Sequence, residues 1–229
     1  DPAAILRDSL PMNQEDLREL QHRLESTSND LRAKRWSALG RTVSRSQKLV
    51  ATRGNSIVEA VPEDQRSEAE LLLNEVRADL DQLHEEADAN DRDGFIQIRR
   101  DTLSRVGDLE ALLIDDRLPD IPSEFDALPR LAGRATVVIE TTQGNLTAVV
   151  DGYNAPLTAG AFIDLSLKGF YDGLPFNRAE DFYILQTGDP EGPDIGYVDP
   201  KTKEERHVPL EIRIPGEPDT LYNETFEDV

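Results

Sequence analysis

A proline-rich stretch divides this chain into two parts of different hydrophobic period, and no single regular architecture satisfies both. Pro119, Pro122 and Pro129 fall between Leu118 and Arg130, whereas the whole preceding part holds only Pro2, Pro11 and Pro62. Each proline removes a backbone donor and pushes the residue before it away from the α region. Residues 117–133 are therefore expected to form an extended linker. The apolar side chains of Leu118, Ile121, Phe125 and Leu128 within it suit a segment lying along a surface.

Upstream, apolar residues recur every three to four positions, as an amphipathic helix requires. Leu17, Leu20, Leu24 and Leu31 form one stripe, with Asn13 and Asp16 as an N-cap signal and a break expected at 26–30. Trp36, Leu39, Val43 and Val50 form a second, with Gly54 as its expected C-cap. Leu72, Val76, Leu80, Leu83 and Ala87 form a third, and Phe95, Ile98, Val106, Leu109 and Leu113 a fourth. Each stripe needs a partner face, so residues 1–116 are expected to be an antiparallel bundle of about four helices.

Charge narrows the choice of partners. Lys and Arg number 25 against 46 Asp and Glu, a net charge of -21. A nucleic-acid backbone or an anionic lipid face would be repelled by the molecule as a whole. No apolar run approaches the ~18 residues of a membrane span, and the absence of cysteine excludes disulfides, thiolate metal sites and a cysteine nucleophile. The chain begins at Asp1 and its one methionine is Met12, which suits a processed start. The bases cluster nonetheless. Between Leu31 and Val58 lie seven of them and no acid, whereas Glu63 to Asp88 holds ten acids and two bases. Arg41, Arg45 and Lys48 share one helix face by spacing. That face is either solvated, neutralised by the acidic helix beside it, or a docking surface for an acidic loop of another protein.

Two patterns point to metals and fail on inspection. In the stretch 89–100, Asp91, Asp93 and Gly94 fit a calcium loop, but Ala89 and Arg100 stand where its first ligand and its bidentate glutamate belong. The acids are better read as turn formers and helix caps. His22, His84 and His207 have no ligand-like spacing, so neither a metal nor any other cofactor is expected. Asn145 and Asn223 each open an Asn-x-Thr glycosylation pattern, a match short enough to arise by chance.

From Ala135 the period becomes two. Val137 and Ile139, then Leu146, Ala148 and Val150, alternate around a turn at 143–145, which reads as a hairpin. A helix follows with Pro156 in its first turn and Gly169 just past its end. Short strands are expected near 175–178 and 182–187.

The order of blocks over 136–190 resembles the first half of a cyclophilin prolyl isomerase: a Thr-x-x-Gly hairpin, Ala-Pro-Leu-Thr, a helix, Gly-Phe-Tyr-Asp-Gly, Pro-Phe-Asn-Arg, and Leu-Gln-Thr-Gly-Asp-Pro. With the helical part and the proline segment, the chain resembles the large thylakoid-lumen cyclophilins of plants and algae. Their bundle is similar to lumenal extrinsic subunits of photosystem II. The resemblance implies an α+β architecture, in which residues 134–229 are a cyclophilin-like antiparallel β-barrel. Eight strands, two helices and their joints require roughly 105–115 residues. Residues 134–229 number 96, and the family's later groove segments have no counterpart here, so the barrel is expected to be incomplete.

The resemblance also implies a site. Rotation about an X–Pro bond breaks amide resonance against a barrier of about 18–20 kcal/mol, and the proline nitrogen gains a lone pair. A preorganised donor aimed at that nitrogen, with a dry cup for the ring, lowers the barrier. Arg178 takes the position of the donor and Gln186 that of the residue holding the peptide carbonyl. Phe176, Asn177, Tyr183 and Ile184 take groove positions, with Asn177 in place of the family's histidine, Tyr183 of its phenylalanine and Ile184 of its methionine. The implied function is a chaperone-like assembly factor for photosystem II in the thylakoid lumen. It would hold protein loops of the core subunits on a scaffold with weak or absent isomerase activity. The alternative is an active prolyl isomerase. A contact of the bundle with the cyclophilin-like part is a third expectation.

Overall fold

The polypeptide separates into two units, residues 1–115 and 116–229, in a computed structural model that describes residues 2–114, 120–193, 196–214, 220–225 and 227. The expected boundary at 116/117 and Leu118 lie outside the described residues.

In the first unit, α1 (Pro2–Asp8) precedes four long helices: α2 (Glu15–Arg32), α3 (Trp36–Glu59), α4 (Arg66–Ala89) and α5 (Arg92–Ala111). Helix α2 packs on α3 and α5, α3 on α4, and α4 on α5, closing the ring of a bundle. All four stripes point inward: Leu17, Leu20, Leu24, Leu39, Val43, Val50, Val76, Leu80, Leu83, Phe95, Val106 and Leu109 are fully buried. The interior is mainly apolar, with Gln21, Ser46, Thr102 and Glu110 also fully buried.

Three local expectations are corrected. The cap of α2 is Gln14, not Asn13: the Gln14 side chain accepts the Leu17 amide at 2.6 Å, and Glu15 and Asp16 occupy the positive first turn. The helix does not break at 26–30. The hydroxyls of Ser26, Thr27 and Ser28 bond back to the carbonyls of Arg23, Leu24 and Glu25, which satisfies them inside the helix. Gly54 is not a cap but lies buried within α3, where a Cβ would stand 2.9 Å from Leu73 Cδ2 and 2.7 Å from the Arg77 guanidinium. It is there for close approach of α3 and α4. At the α4–α5 corner, Asn90 turns the chain at φ +56° and Asp91 accepts the amides of Asp93 and Gly94. These acids serve as turn and cap, as their spacing indicates.

In the second unit, β1 (Arg134–Thr141) and β2 (Gly144–Asp151) form an antiparallel hairpin with Arg134 opposite Asp151 and Thr141 opposite Gly144. Helix α6 (Pro156–Leu167) follows, carrying proline in its first turn and ending before Gly169 at φ +67°. Strands β3 (Arg178–Glu180) and β4 (Ile184–Gln186) pair next, and β5 (Glu211–Arg213) pairs with β6 (Thr220–Tyr222). The last pair was not anticipated, because strands of three residues are too short to show an alternating pattern. Among the described residues the strands form three separate two-stranded sheets and no closed barrel, in keeping with an incomplete cyclophilin-like barrel.

Residues 120–133 are built into this second unit. The Leu131 amide donates to the Pro156 carbonyl at 3.0 Å, the Gly152 amide to Gly133 at 2.8 Å, and the Phe125 ring lies 5.9 Å from that of Tyr222. A Cβ on Gly160 of α6 would stand 2.6 Å from the Arg130 backbone, so the segment passes where only glycine leaves room. The N-terminus of α6 is capped from a distance: the Glu211 carboxylate of β5 accepts the amides of Leu157 at 3.0 Å and Thr158 at 2.7 Å.

Candidate functional site

Strands β3 and β4 place the two principal residues opposite each other. Arg178 pairs with Gln186 and Glu180 with Ile184, while Ala179 pairs with Leu185. Directly opposed residues share a face and alternate residues return to it, so Arg178, Glu180, Ile184 and Gln186 emerge together. The lead-in residue Asn177 donates its amide to the Gln186 carbonyl at 3.0 Å, which extends the pairing by one step. Tyr183 stands in the connecting turn, whose Phe182 has φ +59°, and Phe176 precedes the strand. Phe176, Tyr183 and Leu185 are exposed by 39%, 78% and 52%. The site thus unites Arg178, Gln186 and Ile184 on one face and leaves its aromatic groups in solvent. Among the described residues none of these rings is buried.

The electrostatics of the hairpin turn on a residue that the family pattern did not single out. The Arg178 guanidinium donates through Nε at 2.8 Å and Nη2 at 2.6 Å to one carboxylate oxygen of Glu180. An opposite charge two residues along a strand was a legible signal for this pair. Both side chains are half exposed, and ion pairs of that kind contribute about 0–1 kcal/mol. The donor is therefore held in one orientation yet remains displaceable by a ligand carbonyl or carboxylate.

On the bundle, Arg41, Arg45 and Lys48 are exposed along α3, as their spacing requires. The acidic helix does lie beside them, since α4 packs on α3. Its acids form no close ion pair with them: none within 4 Å involves Arg41, Arg45 or Lys48 among the described residues. The α3–α4 polar contacts run instead from Gln47 to Asp81 at 2.7 Å and between Ser44 and His84 at 3.5 Å.

One cluster of ligand-type side chains, Asp8, His22 and Glu25, gathers within 4.8 Å. Glu25 already accepts the Arg7 guanidinium at 2.8 Å, and Asp8 accepts the Gln21 amide at 2.7 Å. A guanidinium thus occupies the electrostatic role that a cation would take. Close by, Glu110 is fully buried without a hydrogen-bond partner, 3.7 Å from Arg18. Burial pushes its carboxyl up to about 8, against the opposing pull of Arg18 and Arg7. Arg18 is spent on the carbonyls of Arg7 and Leu10 and on Gln21, so desolvation wins and the neutral acid is favoured.

A helical bundle followed by a strand-bearing unit with the Arg/Gln hairpin defines a two-part cyclophilin. The family described as "Peptidyl-prolyl cis-trans isomerase CYP38-like, PsbQ-like domain" matches residues 1–114, and "Cyclophilin type peptidyl-prolyl cis-trans isomerase/CLD" matches residues 136–225. The chain belongs to this cyclophilin family, with a CYP38-like, PsbQ-like helical domain ahead of its cyclophilin-type domain. It is 48% identical over its whole length to a Synechocystis sp. protein described as a candidate thylakoid-lumen peptidyl-prolyl cis-trans isomerase, of which it covers 60%. It is 32% identical, again over its whole length, to the chloroplastic isomerase CYP38 of Arabidopsis thaliana, of which it covers 55%. Chloroplastic CYP37 of the same plant is 29% identical over 95% of the chain, which covers 49% of that relative. The chain thus spans about half to three-fifths of these relatives and stands among thylakoid-lumen and chloroplastic cyclophilins. No helix among the described residues is long and apolar enough to cross a membrane.

Proposed function

We propose that this chain is a chaperone-like binding and assembly module for photosystem II in the thylakoid lumen, gripping extended loops of the core subunits on a cyclophilin scaffold with weak or absent isomerase activity. The observation that carries this reading is the state of the hairpin. Arg178 and Gln186 stand together as a chain-gripping pair, but the guanidinium is committed to Glu180 and the flanking rings are solvated. An exposed ladder with Phe176, Tyr183 and Leu185 beside it can hold a peptide by backbone and aromatic contacts. Catalysis asks for more: the donor must reach the proline nitrogen in a site that excludes water. The PsbQ-like description of residues 1–114 supports the link to the photosystem.

Binding of labelled peptides from lumenal loops of the core subunits, measured beside a prolyl-isomerisation assay, tests this. Peptide binding that Arg178→Ala weakens, with little acceleration of isomerisation by either protein, is expected. Failure to bind any loop overturns the assembly reading. Isomerisation that Arg178→Ala abolishes establishes the second reading, an active prolyl isomerase acting on proline-containing loops, which the Arg178–Gln186 juxtaposition favours.

A further inference from the structure

The strongest unexplained feature of the bundle is a cationic face on an anionic molecule. Helix α3 carries Arg41, Arg45, Lys48 and Arg53 and not one acid before Glu59. Arg53 reaches toward Asp16 of α2 at 3.9 Å, whereas Arg41, Arg45 and Lys48 project into solvent with no ion pair among the described residues. On the α2 side, Glu19 is held by Arg23, which also donates to the Arg45 carbonyl at 2.9 Å and adds to the positive field. On the α4 side, Asp81 is taken by Gln47, and Asp88 lies 3.8 Å from His84. None of the ten acids of the neighbouring helix segment comes within ion-pairing distance of Arg41, Arg45 or Lys48.

Beside the charges runs a groove of about 630 Å³ between the start of α3 and the end of α4, lined by Trp36, Gly40, Arg41, Arg45 and His84 and, at its α4 end, by Asp88. Its floor contains an anomaly. Gly40 sits inside α3, where glycine costs about 1 kcal/mol relative to alanine, yet a Cβ there would meet no atom within 4 Å. Gly54, in the same helix, is packed against the side chains of Leu73 and Arg77. No such packing explains Gly40. A residue without a side chain, facing an open groove rimmed by an indole and two guanidinium groups, lets a foreign backbone approach the helix closely.

We propose that the α3 face bearing Arg41, Arg45 and Lys48, with the groove over Gly40, is a docking site for an extended acidic segment of a partner protein. The carboxylates of that segment would meet the three cations, and its backbone would pass over Gly40 against Trp36. Charge complementarity selects this occupant. A second copy of this chain brings a net charge of -21 against another -21, and a nucleic acid meets the same long-range repulsion. A short acidic stretch needs only the local field, which acts within a Debye length of about 10 Å at 0.1 M salt.

The site is separate from the β3–β4 hairpin, so its test is independent of the isomerase and loop-binding readings. The probe is a fluorescein-labelled peptide rich in Asp and Glu, compared by anisotropy with its Asn/Gln counterpart of equal length. The acidic peptide is expected to bind the whole chain and the amide peptide at least about tenfold more weakly, with affinity falling as salt rises. Arg41→Gln combined with Arg45→Gln and Lys48→Gln is expected to lower affinity about tenfold or more, since three pairs are lost together. Gly40→Leu is expected to weaken binding while leaving the thermal midpoint of the helical signal unchanged or raised, because it fills the groove and improves helix propensity. Arg178→Ala is expected to leave this binding unchanged. Equal binding of the two peptides, no binding, or indifference to the triple change and to Gly40→Leu overturns the proposal. So does equal competition by single-stranded DNA, or a dimer in solution that the triple change dissociates.

Discussion

The helical unit and the strand-bearing unit handle the same apolar inventory in opposite ways. In the bundle, residues a few positions apart form a stripe, and four stripes close on one another until Phe95 and a dozen leucine and valine side chains are fully buried. In the second unit the buried apolar residues among those described are Leu157, Ala159, Ala161, Leu165 and Ile212, nearly all on α6. Its strands leave Val138, Leu146, Val149 and Leu185 exposed, and the turn between β3 and β4 leaves Tyr183 so. A helix satisfies its backbone alone and needs only a face to pack, whereas a strand needs a neighbour on each side. The bundle is accordingly built for stability. The hairpin, among the described residues, keeps open edges and exposed rings, as an incomplete cyclophilin-like barrel does.

The largest test of this contrast is Phe95→Ala. It opens a cavity in the packed core and is expected to cost about 3–5 kcal/mol, read by chemical denaturation of the helical circular-dichroism signal. Tyr183→Ala on the hairpin should leave the same signal unchanged, and equal effects would break the comparison.

Next in size is the pH response of the bundle. Glu110 keeps its proton in the folded state up to about 8, against an ordinary value of 4.5. Between those limits the unfolded chain has lost the proton that the folded chain retains. The stabilisation is complete below pH 4.5 and is lost as pH rises to about 8. The bundle is thus expected to be more stable at mildly acidic than at alkaline pH, by a few kcal/mol, since each tenfold difference in proton affinity between the two states is worth about 1.4 kcal/mol. Glu110→Gln should flatten that slope. A stability that rises over the same interval in the parent chain would show that Arg18 outweighs desolvation.

Smaller still is Gly160→Ala in the second unit. The added methyl meets the Pro129 carbonyl and the Arg130 backbone, and forced overpacking costs about 1–3 kcal/mol. Faster proteolysis within 120–133 is expected, with the bundle unaffected. An unaltered cleavage rate would make this segment a tether after all. The smallest stability effect belongs to Glu180→Ala, below about 1 kcal/mol for a half-exposed pair. Its functional effect sharpens the picture, because freeing Arg178 is expected to raise any isomerisation rate in the proline assay. A fall in rate would make Glu180 a positioning residue for the donor.

Much of the architecture was legible beforehand because helical periodicity is a local property. The stripes from Leu17 to Leu109 announced the bundle, and the alternation of Val137, Ile139, Leu146 and Ala148 announced the first hairpin. The misreadings at 26–30 and Gly54 share one cause: cap-type residues also serve inside helices, by back-bonding hydroxyls or by making room, whereas at Asn13 the next residue, Gln14, took the cap. At the site, the motif order placed Arg178 and Gln186 as neighbours. The spacing of Arg178 and Glu180 hinted at their pairing, but that the guanidinium turns onto Glu180 and that the flanking rings stay exposed depend on which groups end up within reach and which remain wet.

The amino-acid sequence by itself determined the division into helical and strand-bearing parts, the inward stripes, the cationic run on α3 and the family motif, for each is written in neighbours along the chain. Tertiary structure alone decided the rest. It brought Glu211 across more than fifty residues to cap α6, threaded 120–133 over Gly160, left the cations of α3 exposed beside an acidic helix, and buried Glu110 without a hydrogen-bond partner. Charge, exposure and hydrogen-bond satisfaction are set by distances in space, and those distances exist only once the helices and strands have packed.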